Sequence, residues 1–309
     1  MMTIGRFGLR RRGDYDFPPF RPPSEADSLL LRVTRGCPWN RCSFCLMYKT
    51  MKFKIRDIEE VLSDIESAKE LYGDRVRTVF IGDSNSLVVK TEKLVQVLNF
   101  LLSSFPHVER VTSYARAKTL AQKPKEDLEK IFQAGLNRLH VGLETGDRDL
   151  LKQIEKGATP EEMIEAGRKA KQAGFQYSLY VLLGIGGEER WEEHAKGTAE
   201  VLSQIDPDFI RVRTFIPQPG SPLCDAMTQG RFQAASPETI LKETRLLLAN
   251  LEATSEFLSD HVSNLLPLHG KLPEEKKRML RLIDGALERI KEDSALREEM
   301  EMRRHLTNL

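Results

Sequence analysis

The chain has 309 residues, 40% hydrophobic and 30% charged, with a formal net charge of +1. That length can bury the core of one large domain, or of one domain with appendages. The near-zero charge gives no global pull toward nucleic acid or an anionic membrane. No apolar run approaches the roughly 20 residues of a membrane span. Arg10, Arg11 and Arg12 are followed by no apolar stretch, so no signal peptide is expected and a cytoplasmic location follows by default. Of the four cysteines, Cys37, Cys42 and Cys45 lie within nine residues and Cys224 stands far away. That spacing suits a metal site in a reducing compartment better than a disulfide framework.

In chain order, residues 1–27 are rich in Arg and Pro and read as an extended arm. A strand is predicted over 28–35 and an apolar strand over 75–82. Helical periodicity follows over 91–105, with Thr91 placed to cap it. A strand over 110–115 precedes a helix over 125–135 that stops at Gly135. Next come a strand over 136–144, helices over 148–157 and 160–174, a long strand over 175–186, a helix over 189–205 and a strand over 209–217. Six strand–helix units imply a parallel sheet with right-handed crossovers, either an open doubly wound sheet or a partial barrel. From residue 237 onward the pattern reads as helix throughout, with a charged, frayed end. The expected division is an arm over 1–27, an α/β core over 28–235 and a helical extension over 236–309.

The segment Gly36-Cys37-Pro38-Trp39-Asn40-Arg41-Cys42-Ser43-Phe44-Cys45 follows the first predicted strand. A structural zinc site wants four protein ligands, and no fourth Cys or His is near; the next histidine is His107. Three thiolates on a four-iron cluster leave one iron open to a ligand bearing an amine and a carboxylate. A zinc site completed by a distant His, or buried structural cysteines, are the alternatives on spacing alone.

This segment resembles the cluster motif of the radical S-adenosylmethionine (SAM) superfamily, C-x3-C-x2-C with an aromatic residue before the last Cys, here widened to C-x4-C-x2-C with Phe44 at the aromatic position. The likeness recurs at later strand ends over roughly residues 28–223. Gly82-Asp83-Ser84 stands where the family has Gly-Gly-Glu, with Asp83 in place of the second Gly. Gly142-Leu143-Glu144-Thr145-Gly146 is similar to the G-x-E-S/T-G segment of the subgroup of tRNA methylthiotransferases, Elp3-like proteins and oxygen-independent coproporphyrinogen oxidases. Leu183-Gly184-Ile185-Gly186-Gly187 resembles the family's apolar and glycine turn, and Pro219-Gly220-Ser221-Pro222-Leu223 the segment that closes the core.

The resemblance implies a partial (β/α)6 TIM-like barrel with a helical C-terminal extension. It implies a [4Fe–4S] cluster on Cys37, Cys42 and Cys45 that cleaves SAM to a 5′-deoxyadenosyl radical. The amino group of SAM would meet Gly82, Asp83 and Ser84, its ribose Glu144 and its adenine the turn holding Ile185, with Phe44, the aromatic of the cluster motif, also among the cofactor-binding residues. A low-potential donor, flavodoxin or ferredoxin, would supply the electron, and the substrate is not specified. A porphyrin- or haem-pathway protein of the same superfamily is the alternative enzyme class, and an iron–sulfur electron carrier or sensor the alternative without catalysis. No membrane or nucleic-acid partner is indicated.

Other residues carry weaker signals. Arg116 can meet an acidic group or simply be solvated. Tyr48 and Lys49 follow the cysteine loop and can shape its edge. Cys224 reads as an ordinary thiol. Asp260, His261 and Asn264, expected on one late helix, can handle substrate at a barrel mouth or bridge helices.

Overall fold

A computed structural model of the protein describes residues 20–303. The chain divides into two compact units, the first comprising residues up to Asn40, Met47–His140 and Lys169–Gln176, the second Arg41–Leu46, Val141–Arg168 and Tyr177 onward.

In the first unit, strand β1 (Leu29–Arg32) leads into a two-stranded antiparallel stem, β2 (Thr34–Arg35) against β3 (Lys54–Ile55). Helix α1 (Ile58–Tyr72), β4 (Thr78–Gly82), α2 (Thr91–Ser104), β5 (Arg110–Ala115), α3 (Ala117–Gln122), α4 (Lys125–Gln133) and β6 (Leu136–Glu144) follow, β6 giving its residues up to His140 to this unit. The strand order is β1-β4-β5-β6, with β1 parallel to β4 and β4 to β5. Apolar runs such as Val79-Phe80-Ile81 are buried to the last atom, as strands of a parallel sheet require.

In the second unit come α5 (Arg148–Gln153), most of α6 (Pro160–Gln172), β7 (Gln176–Leu183), α7 (Trp191–Ile205), β8 (Phe209–Thr214), α8 (Pro222–Thr228) and α9 (Pro237–Asn250). Then follow β9 (Glu256–Ser259), β10 (Leu268–Lys271), α10 (Lys276–Glu292) and α11 (Ser294–Arg303). The order is β6-β7-β8-β9-β10, with β7, β8 and β9 parallel and β10 antiparallel to β9. The fold class is α/β, with a mostly parallel central sheet.

Four expectations need correction. The region after 237 is not helix throughout: α9 ends at Asn250, and β9 and β10 extend the sheet. Leu247, Leu251 and Leu258 keep a helical spacing across the break, while pairing to the open edge of β8 draws Glu256–Ser259 into a strand. Residues 294–303 form α11 with Met300 buried, so the charged end is helical that far. Thr91 is the first helical residue rather than a cap, and its hydroxyl accepts from Lys123 Nζ. Of the proposed arm, residues 1–19 lie outside the described residues; Pro23–Glu25 form a 3-10 turn with Glu25 fully buried.

Candidate functional site

The cysteine loop leaves the β2–β3 stem at Gly36, which takes a left-handed φ of +73°. In the first unit its N-terminal end is fixed by the loop after β4. Gly36 N donates to Asp83 Oδ2 at 2.7 Å, and Ser84 Oγ donates to Gly36 O at 3.0 Å. Asp83 is 3% exposed and also pairs with the buried Arg32 at 3.3 Å. Its carboxyl group is therefore turned to the chain itself, and the loop's backbone is what remains for a ligand's ammonium group. Asn40 N donates to Cys37 Sγ at 3.4 Å, the kind of contact that tunes a cluster's thiolate ligands. Asn40 is held in turn by its amide to Tyr48 O and by Lys49 Nζ to its own carbonyl, so Tyr48 and Lys49 do shape the loop's edge. Arg116 lies with its guanidinium 5.1 Å over the Trp39 ring, a contact that employs it inside the loop.

In the second unit the segment around Cys42 and Cys45 is pinned at Ser43. Ser43 N donates to Ile154 O, and Leu223 N donates to Ser43 O, both at 3.0 Å. The Pro219–Leu223 segment thus braces the cysteine loop directly. Phe44 packs against a cluster of Leu150, Ile154, Ile185 and Phe215, with Leu182 and Leu223 beside it. Ile185 is wholly buried there, so its side chain lies beneath the surface rather than on it, whereas Phe44 is partly exposed.

Glu144 ends β6 with φ +64°, a left-handed conformation that costs a non-glycine residue energy. Its Oε1 accepts from Lys156 Nζ at 2.7 Å, both side chains being about 15% exposed. Gly142 makes room for this pair: a Cβ there would stand 2.1 Å from Glu144 Oε1 and 2.9 Å from Lys156 Nζ. Gly146 packs so closely on α7 that a Cβ would meet Gly197 O at 2.2 Å. Asp147 is the residue that caps α5, accepting from Asp149 N at 3.1 Å.

Behind these loops runs a buried polar relay that sequence reading missed. Thr145 Oγ1 and His194 Nδ1 share a hydrogen bond of 2.7 Å, and His194 Nε2 lies 3.2 Å from Glu243 Oε1. The latter contact is close enough for electrostatic pairing but is poorly aligned for a hydrogen bond. Glu243 Oε1 accepts from Gly184 N at 2.9 Å. Thr145, His194 and Glu243 have no exposed surface. The relay therefore ties the Glu144 loop to the glycine turn after β7 through α7 and α9.

The expected late helix face is a β9–β10 connection instead. Asn264 is buried and holds the end of β8, accepting from Thr214 Oγ1 and donating to Val212 O. Asp260 is exposed and pairs with Arg211 at 3.5 Å. Cys224 lies in α8, its N–H donating to the capping Ser221 Oγ.

Three thiols in one loop, none in a disulfide and all partly exposed, match the donor set of a multi-iron cluster. Among the described residues no three His, Cys, Asp or Glu side chains converge as a mononuclear site demands. In a cluster each thiolate takes a different iron, so such convergence is not required. The profile of the radical SAM superfamily matches residues 31–196.

The chain belongs to the radical SAM superfamily. Among curated proteins it is similar to the heme chaperone HemW of Bacillus subtilis, 23% identical over 69% of this chain and 57% of that protein. It is also similar to biotin synthase of Mycobacterium ulcerans, 24% identical over 72% and 63%. The chain spans about half the length of the first curated relatives it matches. Two solved structures share the fold. Methylornithine synthase PylB has TM-score 0.50 and 20% identity, over 89% of this chain and 84% of that one. Coproporphyrinogen III oxidase HemN of Escherichia coli has TM-score 0.51 and 15% identity, over 72% and 52%. The α/β fold with its mostly parallel sheet is that of a partial TIM-like radical SAM barrel. No helix among the described residues is long and apolar enough to cross a membrane.

Proposed function

We propose that this radical SAM protein is an enzyme that binds a [4Fe–4S] cluster through Cys37, Cys42 and Cys45 and uses it to cleave SAM. The observation that carries this reading is the bracing of the cysteine loop. Within each unit a strand-end motif holds the loop's backbone by hydrogen bonds, the Asp83 and Ser84 side chains at Gly36 and the Leu223 N–H at Ser43. When bound, the cluster supplies an electron to the sulfonium of SAM, whose cleavage gives methionine and a 5′-deoxyadenosyl radical that takes hydrogen from substrate.

The chain's own residues divide the work of binding. Glu144 takes the ribose hydroxyls, and Lys156 aligns that carboxyl group and offers an ammonium beside it. Backbone carbonyls of Gly82, Asp83 and Ser84 receive the amino group, while the Asp83 side chain positions the cysteine loop. Phe44 presents its partly exposed ring to adenine, and Ile185 supports it from below. The electron comes from a low-potential donor of the flavodoxin or ferredoxin kind, and the protein works in the cytoplasm. The likeness to proteins described as heme chaperones makes a haem- or porphyrin-handling role the second reading.

Anaerobically reconstituted protein is expected to carry about four irons and four sulfides and to form 5′-deoxyadenosine from SAM with dithionite. Alanine at Cys37, Cys42 or Cys45 should remove both properties, while Glu144→Gln should keep the iron and weaken SAM binding. Bound zinc without SAM cleavage, or loss of iron in Cys224→Ala, would overturn the assignment.

A further inference from the structure

The alternation of burial along β7 and β8 shows which side chains share a face. Tyr180 and Leu182 on β7, and Phe209, Arg211 and Arg213 on β8, are partly exposed, while Leu179, Val181, Leu183, Ile210 and Val212 are buried. The parallel register sets Tyr180 opposite Arg211 and Leu182 opposite Arg213. Leu182 packs in the cluster that supports Phe44, the neighbour of Cys45. This face therefore leads along the strands to the cysteine loop of the same unit.

Two arginines on one partly buried face call for acceptors. Arg211 has a long contact of 3.5 Å to Asp260, a carboxylate that is 61% exposed, and its buried Nε has no hydrogen-bond acceptor among the described residues. Arg213 lies 5.0 Å over the Tyr180 ring, and among the described residues it has no carboxylate within ion-pair reach. The ring holds the guanidinium by one contact, and among the described residues no acceptor takes its N–H groups, which leaves them for an oxyanion. His261 adds no negative charge. Its Nδ1 accepts from Ser263 N, and burial together with the field of Arg213 lowers its pKa to about 4. Asp260, the acid beside His261, is shared with Arg211 and solvent.

We propose that Arg213, oriented by Tyr180 and reinforced by Arg211, is the docking point for an anionic group of the substrate, a carboxylate or a phosphate. That the anion belongs to substrate rests on the SAM-cleaving reading above; the anion site itself does not. A substrate held by its anionic end at Arg213 would extend along the strand face toward Phe44 and the cysteine loop, which fixes the end of the molecule presented for hydrogen abstraction.

The test is equilibrium binding of inorganic phosphate and, separately, of succinate to the reconstituted full-length protein, with phenylglyoxal labelling mapped by peptide mass. At least one anion should bind and should shield Arg213 from phenylglyoxal; which of the two binds tells phosphate from carboxylate. Arg213→Gln should weaken binding roughly tenfold or more, the worth of a charge-assisted hydrogen bond. Arg213→Lys, which keeps the charge but loses the planar fork, should fall between, and serves if the Gln variant does not fold. Equal binding by wild type and Arg213→Gln, or no binding of either anion, would refute the site. Competitive displacement by SAM would also refute it, since the arginine would then belong to the cofactor's carboxylate. Failure of the SAM reading looks different: wild-type protein that forms no 5′-deoxyadenosine, whatever its anion binding.

Discussion

Glu243→Ala is the sharpest probe of how the site is held. The carboxyl group has no exposed surface, accepts from Gly184 N at 2.9 Å and lies 3.2 Å from His194 Nε2. Its removal leaves the Gly184 N–H buried without a partner, at about 1–3 kcal/mol. His194, also fully buried, loses its neighbour at a similar cost, and truncation to Ala leaves a cavity besides. The expected loss is about 3–5 kcal/mol, or roughly 10 °C in melting temperature for a chain of this size. Glu243→Gln keeps an amide oxygen for Gly184 N and should cost about 1 kcal/mol or less. The assay is urea unfolding of anaerobically purified protein, followed by circular dichroism and completed as a double-mutant cycle with His194→Ala. A coupling of about 0.5–3 kcal/mol is expected for two residues in one network. An Ala variant costing less than about 1 kcal/mol, or a cycle that adds without coupling, would show that the relay is proximity without energetic linkage.

Gly142→Ala should drive Glu144 and Lys156 apart, since the new methyl group would occupy the place of Glu144 Oε1. SAM affinity measured by equilibrium dialysis should fall roughly tenfold with iron content unchanged. Gly146→Ala meets backbone, Gly197 O and Thr198 Cα, that cannot swing aside. It should cost about 1–3 kcal/mol in chemical denaturation. His261 has its pKa lowered from 6.5 to about 4, first by burial and then by Arg213. Its folded pKa lies below its unfolded value, so stability is complete above about pH 6.5 and falls as pH drops toward 4. His261→Gln should flatten that part of the stability-against-pH curve, and an unchanged curve would assign the titration elsewhere.

Much of this was legible in the sequence, and what was not has physical causes. The strand at 136–144 has in the structure the boundaries the sequence predicts, because Gly135 ends the helix before it and Leu139, Val141 and Leu143 alternate with His140, Gly142 and Glu144. The three cysteines stand out by their spacing, and Glu144 by the resemblance of its segment to the family's G-x-E-S/T-G motif. Lys156 did not: it reaches Glu144 across twelve residues and a whole helix, a distance no local periodicity encodes. His194 and Glu243 sit in amphipathic helices, where single polar residues read as part of a solvated face. Only the packing of α7 against α9 shows that these two point inward. Asp83 reads as a ligand to an ammonium group because its segment stands where the family has Gly-Gly-Glu. Burial beside Arg32 turns it to another task.

The left-handed backbone at Asn40, Asp83 and Glu144 bears on how this protein would respond to engineering. Each of these residues is a non-glycine in a conformation that glycine adopts freely; Asn and Asp tolerate it, while for Glu144 the penalty is about 1–2 kcal/mol. A screen for thermal tolerance would therefore be drawn to glycine at Glu144 but not at Asp83, whose loss would take a carboxylate partner from the buried Arg32. At Glu144 relief of the backbone would be set against the loss of one partly exposed ion pair, so the exchange would come close to neutral or favourable for folding. The variant would fold about as stably or better and would have lost the carboxyl group assigned to the ribose. Selection on stability alone would thus erode the site at the position where it departs most from comfortable backbone geometry.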